Sequence, residues 1–344
     1  SKLDTAMHAA SFAGGTALPG GGLLIAGGAS LSAPTAFSRS NPATLGRLTE
    51  AASFFPSAGA PNSPPNYTFA LGGASLPWLL APSVTAIGST TALVLGAKLP
   101  PDATAQPQAQ FITGLPGSTQ LPAATAAMGP STVFHTATRI GPALPVTGAP
   151  ASTQILVTGG FVQDSVPPYT TRQPPATSPV RLYTVSNPAQ PSGAPSYQAV
   201  TPAYPSGTCG MADGHYRPAG YEAACATLSG NQVLVTGGTP SVPSSGCNEC
   251  DATDPATNKL LCTIAPASLY DATTQAFSAI KPLPLARLGH QQVLLPDGNI
   301  MITGGLVRQS ASGTDATAEA EVYNPSRTQP DGMDANDPTT AILQ

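Results

Sequence analysis

Few side chains in this sequence are placed to do chemistry, and most of those lie in one region. The five cysteines, Cys209, Cys225, Cys247, Cys250 and Cys262, all fall between positions 209 and 262. Cys247-Asn248-Glu249-Cys250 is a CxxC, but a tetrahedral zinc site needs a second pair at similar spacing. Cys262 stands alone, and Cys209 and Cys225 are far apart. Haem attachment would need His after the second cysteine, where the chain has Asp251. Thioredoxin-like chemistry needs a helix N-terminus to lower the thiol pKa, and this stretch has no helical pattern. Disulfide stapling of long loops in an oxidising compartment accounts for the cluster best. Cys209 with Cys225, and Cys262 with Cys247 or Cys250, are candidate pairs, and one cysteine is left over.

The histidines divide in two. His8, His135 and His290 each open a strand-like run, and a residue repeated in that way is expected to bond between structural units. His215 sits apart, in Asp213-Gly214-His215-Tyr216-Arg217. It belongs with Tyr216, Arg217 and Tyr221, and with Asn248 and Glu249 beyond the next strand, as a candidate binding surface. The densest oxygen cluster is Asp331, Asp334, Asn336 and Asp337. Calcium takes six to eight oxygens from such loops. Calcium is the metal this cluster would take, although the bidentate Glu of an EF-hand is missing; no other cofactor is expected. Asn66-Tyr67-Thr68 is a glycosylation sequon. No serine elbow, P-loop or dinucleotide fingerprint lies in a strand–turn–helix context, and the carboxylates are too scattered for a glycosidase pair.

Composition narrows the rest. Charged residues make up 9% of 344, with 13 Lys and Arg and a net charge of −4. Nucleic-acid binding needs clustered cations to neutralise phosphates, and no basic stretch occurs. No apolar run approaches the ~20 residues of a membrane helix. With 39 Pro and 35 Gly, the chain favours turns over long helices. The 41% hydrophobic content still permits a core. Low charge and abundant Ser, Thr, Pro and Gln suit a secreted, periplasmic or cell-surface location. The chain begins at Ser1 with no signal-peptide core, as a processed or trimmed chain would.

The elements that must hold these residues recur. Arg287 to Gly305 has two apolar runs, Val293-Leu294-Leu295 and Ile300-Met301-Ile302, around Pro296-Asp297-Gly298-Asn299. That is a hairpin, since Pro presets φ and Gly accepts φ > 0. The second run ends in Gly304-Gly305. Equivalent strand ends lie at Gly27-Gly28, Gly96-Ala97, Gly159-Gly160 and Gly237-Gly238. The first positions, 27, 96, 159, 237 and 304, are spaced by 69, 63, 78 and 67 residues. Upstream runs start at His8, Ser83, Val133, Ala223 and His290. Downstream aromatics are Phe54, Phe111, Tyr183, Tyr270 and Tyr323, and a fourth apolar run closes each unit. Four short strands per unit in such a repeat make a propeller blade. The expectation is an all-β chain, one domain over 1–344, with blades near 1–75, 76–128, 129–201, 202–281 and 282–344.

The pattern resembles the Kelch repeat, bacterial Kelch-like and galactose-oxidase-like propellers included. It is carried by Arg287, His290, Asp297-Gly298, Gly304-Gly305, Glu321 and Tyr323, and by Gly237-Gly238, Tyr270-Asp271 and Thr273-Thr274. The fourth strands lack the family's Trp, and the loops are long. Family members usually have six or seven blades, so the alternative to five is six or seven with a part missing or degenerate. The resemblance implies a secreted or surface protein. A galactose-oxidase-like copper site would need two Tyr, two His and a Tyr–Cys crosslink, and only His215 is free of the repeat register. The expected function is therefore a non-enzymatic binding or scaffold module for a protein or glycan ligand. A subunit of a larger surface assembly or filament is the alternative, and a copper-dependent sugar oxidase is the enzymatic one.

Overall fold

The structure, a computed structural model, describes residues 10–11, 14–19, 21–27, 29–31, 45–46, 52–55, 67–68, 82–97, 107–113, 133–141, 151–163, 172–173, 180–191, 195–200, 224–227, 231–237, 267–280, 283, 285, 287–310, 313–316, 318–324 and 341–343. Among these residues the chain is all-β, and every strand pairing is antiparallel.

Five sheets follow one another along the sequence, and each is built from consecutive strands. The first comprises Gly14–Ala17, Leu23–Ala26, Ala52–Phe55 and Tyr67–Thr68. The second comprises Ser83–Ala86, Ala92–Ala97 and Pro107–Ile112. Its expected fourth run, 123–126, lies outside the described residues. Val133–Ile140, Ser152–Gln163, Val180–Ser186 and Ser196–Ala199 form the third, with Arg172–Gln173 beside the long second strand. The fourth is Ala224–Thr227, Gln232–Thr236, Ala267–Asp271 and Ala276–Ile280. The fifth is Gln291–Leu294, Ile300–Thr303, Ala320–Tyr323 and Ala341–Leu343. Two small sheets flank the first and fifth. They are Ala10–Ser11 with Ala29–Leu31 and Leu45–Gly46, and Arg287–Leu288 with Leu306–Ser310 and Gly313–Ala316.

The repeated glycine has a backbone reason. Gly27, Gly159, Gly237 and Gly304 have φ of +66°, +67°, +59° and +70°. That left-handed conformation costs an L side chain on the order of 1–2 kcal/mol, so glycine takes this position: it directly follows the strand at Gly27, Gly237 and Gly304 and lies inside the longer strand Ser152–Gln163 at Gly159. The tight turns follow local rules too. Asp297 Oδ1 accepts from Asn299 N at 3.0 Å, and Gly298 has φ +86°. Asp271 Oδ1 accepts from Thr273 N at 2.7 Å and Thr274 N at 3.2 Å. Both are Asx turns.

The first strands of successive sheets lie side by side in chain order, from first to fifth. Each sheet therefore has a rear face towards its predecessor and a forward face towards its successor, and the alternation of side chains assigns residues to them. Leu93, Leu95 and Phe111 of the second sheet pack on Ile155, Val157 and Tyr183 of the third. Leu156, Val180 and Leu182 of the third pack on Val233, Val235 and Tyr270 of the fourth. Leu234 of the fourth packs on Ile300 and Ile302 of the fifth. The core is thus a series of seams between sheets.

Two register expectations are corrected here. The first strand of the first sheet is Gly14–Ala17, not the run from His8 to Phe12. Gly14 packs against the next sheet, where an added Cβ would meet Pro82 O at 2.3 Å. Close backbone approach overrides the low strand preference of glycine. Gly14 pairs with Ala26, the residue before Gly27. His135 pairs with Gly159, and His8 lies outside the described residues. Likewise Phe54 pairs with Leu24 and Phe111 with Leu93, whereas Tyr183 pairs with Ile155, Tyr270 with Val233 and Tyr323 with Ile300. A one-residue offset exchanges sheet faces, so Phe54 and Phe111 occupy the forward-face register and the three tyrosines the rear.

Candidate functional site at one end of the fourth sheet

Strand pairing places the two cysteine-bearing segments together at their roots. Ala224 pairs with Thr236, and Thr236 with Ala267. The segment 201–223 enters at Ala224, and the segment 238–266 leaves after Gly237 and returns at Ala267. Both are therefore rooted at one end of the sheet, the end where the second strand meets Gly237. Cys209, His215, Tyr216, Arg217 and Tyr221 belong to the first segment and lie outside the described residues. Cys247, Asn248, Glu249, Cys250 and Cys262 belong to the second and also lie outside them. Cys225 is on the strand Ala224–Thr227, with Val235 as its cross-strand partner.

The acidic cluster is rooted elsewhere. Asp331, Asp334, Asn336 and Asp337 lie outside the described residues, between Tyr323 and Ala341. Tyr323 pairs with Ile300 and Val322 with Ala341. Those roots are at the Leu295–Asn299 turn of the fifth sheet, the end opposite Gly304. Among the described residues, no three His, Cys, Asp or Glu side chains are grouped to hold a metal. Among them too, no helix is long and apolar enough to cross a membrane.

The floor beneath the paired loop roots is a buried polar network at the seam of the fourth and fifth sheets. His290 Nε2 is 2.7 Å from Thr236 Oγ1, and Gln292 Nε2 donates to the same oxygen. Gly237 closes on this network, since an added Cβ would meet Arg287 O at 2.4 Å and His290 Cε1 at 2.6 Å. Arg287 Nη1 donates to Gly304 O at 3.0 Å and Glu319 O at 3.1 Å, and Nη2 is ion-paired with Glu321. Burial holds the Glu321 carboxyl above its usual range, against the opposing pull of Arg287. Burial, and then the Arg287 charge, drives His290 down from 6.5 to about 3.

An imidazole beside a hydroxyl has the spacing of a base and its nucleophile. Thr236 and His290 are only 1% and 2% exposed, however, so no substrate reaches them, and the imidazole is neutral near pH 7. The same contact recurs where His135 Nε2 lies 2.9 Å from Ser83 Oγ on the preceding sheet. Leu95 occupies the position corresponding to Thr236, and Ser83, its cross-strand partner, supplies the hydroxyl. Histidine at this position ties one sheet to the one before it.

Arg181 was not singled out from the sequence. It is buried on the third strand of the third sheet, and its Nη2 donates to Gly159 O at 3.4 Å. Its side chain also bonds Tyr183, whose phenol is pushed up by burial and pulled back by Arg181. Arg181 stands two residues before Tyr183, as Glu321 stands two before Tyr323. That shared offset was the available signal. At this position a charged group serves the glycine carbonyl, directly from Arg181 or through Arg287 held by Glu321.

No family model matches this sequence, and no curated protein matches it. Among solved structures, that of YjhT is similar over 97% of this chain and 84% of the other, with a TM-score of 0.54 and 10% identity. At that identity the likeness concerns the fold alone.

Proposed function

We propose that the five repeated sheets are blades of a Kelch-like propeller. The protein is a secreted or cell-surface binding or scaffold module that engages a protein or glycan through the loops rooted at Ala224, Thr236 and Ala267. The single observation that carries this reading is the pairing of those three residues. It roots the two cysteine-bearing loops, one of which carries His215, at one end of one sheet. Function lives in sites grafted on a fold, and the repeat positions are committed to seams, as Thr236, His290, Arg287 and Glu321 illustrate. Low charge favours polar and stacking contacts over a charge-steered encounter. Disulfides among Cys209, Cys225, Cys247, Cys250 and Cys262 would hold the loops in an oxidising compartment.

A glycan array run beside a pull-down from extracellular material tests the proposal. Capture of a defined glycan or protein by the purified chain supports it. Stoichiometric copper in the purified protein, with sugar oxidation, replaces it with the oxidase reading.

A further inference from the structure

Three of the five sheets share an arrangement at their glycine end. Ser11 pairs with Ala29, Val133 with Phe161 and Leu288 with Leu306. In each case the chain at or just before the start of the first strand runs beside the chain two positions past Gly27, Gly159 or Gly304. In the fourth sheet the stretches that hold those two places in the chain are 201–223, which enters at Ala224, and 238–266, which leaves after Gly237. They carry four of the five cysteines, Cys209 in the first and Cys247, Cys250 and Cys262 in the second. Cys225 stands apart from them. It pairs with Val235, two residues before Gly237. At the same register Ala137 pairs with Val157 and Gln292 with Ile302, again two residues before the glycine. Ala137 packs on the core between the second and third sheets, and Gln292 Nε2 donates to Thr236 of the preceding sheet. This register therefore belongs to the seam with the preceding sheet, and Cys225 holds it in the fourth.

We propose that Cys209 forms a disulfide with Cys247, Cys250 or Cys262 and that Cys225 stays a thiol, so that the two segments are stapled to each other across their common root. The parity of the cysteines carries the argument. Five leave one over, and the seam register gives that place to Cys225, which sets aside the pair Cys209 with Cys225. Four cysteines allow three pairings. Three of the four lie in one segment, so every one of those pairings links Cys209 to the other segment. Pairing of Ala224 with Thr236, and of Thr236 with Ala267, brings the roots together at one end of the sheet, as a bond of disulfide length requires of the chains that carry it. In forming it, two S–H bonds give way to one S–S bond. The two protons pass to solvent, and the two electrons pass to an external disulfide, which leaves as two thiols. The inference rests on the oxidising compartment of the reading above and deepens its site: the staple makes His215, Tyr216 and Arg217 of one segment and Asn248 and Glu249 of the other parts of a single surface.

The test is a disulfide map of the full chain, folded in a buffer of reduced and oxidised glutathione. Free thiols are alkylated in denaturant, and the protein is cut with a glutamyl endopeptidase without reduction. Glu222 lies between Cys209 and Cys225, and Glu249 between Cys247 and Cys250, so Cys209 leaves on its own fragment. Mass spectrometry should find that fragment bonded to Cys247, Cys250 or Cys262, with the alkyl group on Cys225. Cys225→Ser should keep the bond and lower the count of alkylated thiols from one to none. Cys209 bonded to Cys225, alkylated or capped by glutathione overturns the staple. Five alkylated cysteines overturn it together with the oxidising compartment. Four thiols protected by stoichiometric zinc until a chelator is added overturn it in favour of a metal site. The glycan array reads binding separately, so a bond between Cys209 and Cys225 leaves the binding reading in place.

Discussion

Acidification should loosen the seam between the fourth and fifth sheets, and His290 is the group responsible. Its imidazole is buried against Thr236 and beside Arg287, with Glu321 across the ion pair. The folded-state value of about 3 lies below the ordinary 6.5, so the unfolded chain binds the proton more readily. The contribution is intact above pH 6.5 and declines as pH falls from 6.5 towards 3. Each pH unit in that window costs up to about 1.4 kcal/mol, which makes about 2 kcal/mol lost at pH 4.5 relative to pH 6.5. The assay is urea unfolding at pH 7.5, 6.5, 5.5 and 4.5 for the natural protein and for His290→Gln, which does not titrate. Glu321 has a raised folded-state value and acts in the opposite direction, but it is present in both proteins and cancels in the difference. The natural protein should be the more stable at pH 7.5, with its advantage shrinking steadily below pH 6.5. Parallel curves down to pH 4.5 would refute the argument, since they would mean that His290 is hydrated or charged in the folded chain.

The buried pair gives a second prediction. Arg287→Met should cost about 3–5 kcal/mol, because it leaves Glu321 uncompensated in the interior and strips the donor from Gly304 O and Glu319 O. Arg287→Met/Glu321→Leu should recover part of that loss in the same urea titrations. The glycines give a third, read by thermal melts. Gly237→Ala faces both a φ of +59° and a Cβ 2.4 Å from Arg287 O, whereas Gly298→Ala has a φ of +86° and nothing within 4 Å. Gly298→Ala should cost about 1 kcal/mol, and Gly237→Ala distinctly more.

The second strands were legible in the sequence because they join two local signals, an apolar run and a left-handed glycine. Both signals act within a few residues of Gly27, Gly159, Gly237 and Gly304. The first strand of the first sheet was not legible, because Gly14-Gly15 is a strand for the sake of a neighbouring sheet. Nothing local marks the approach of Pro82. The aromatic register was legible for Tyr183, Tyr270 and Tyr323 and slipped by one at Phe54 and Phe111, where two apolar neighbours fit the pattern equally well. At the candidate site, the histidines were legible as seam residues. The identity of their partners was not, because Thr236 and Ser83 sit on different strands of their sheets. The common root of the two cysteine-bearing loops follows only from the pairing of Ala224 with Thr236 and of Thr236 with Ala267.

The central claim divides the chain into a repeat frame that holds sheets together and a loop surface that binds. Thr236 and Ala267 are cross-strand partners, so a short Gly-containing turn can replace residues 239–264 without spanning a gap. Affinity of that variant for the ligand captured by the natural protein, measured beside His290→Gln, tests the division. The account predicts that the loop replacement loses the ligand and keeps its melting temperature, while His290→Gln melts earlier and binds normally when folded. Undiminished binding after loop replacement, with binding lost in folded His290→Gln, would contradict it.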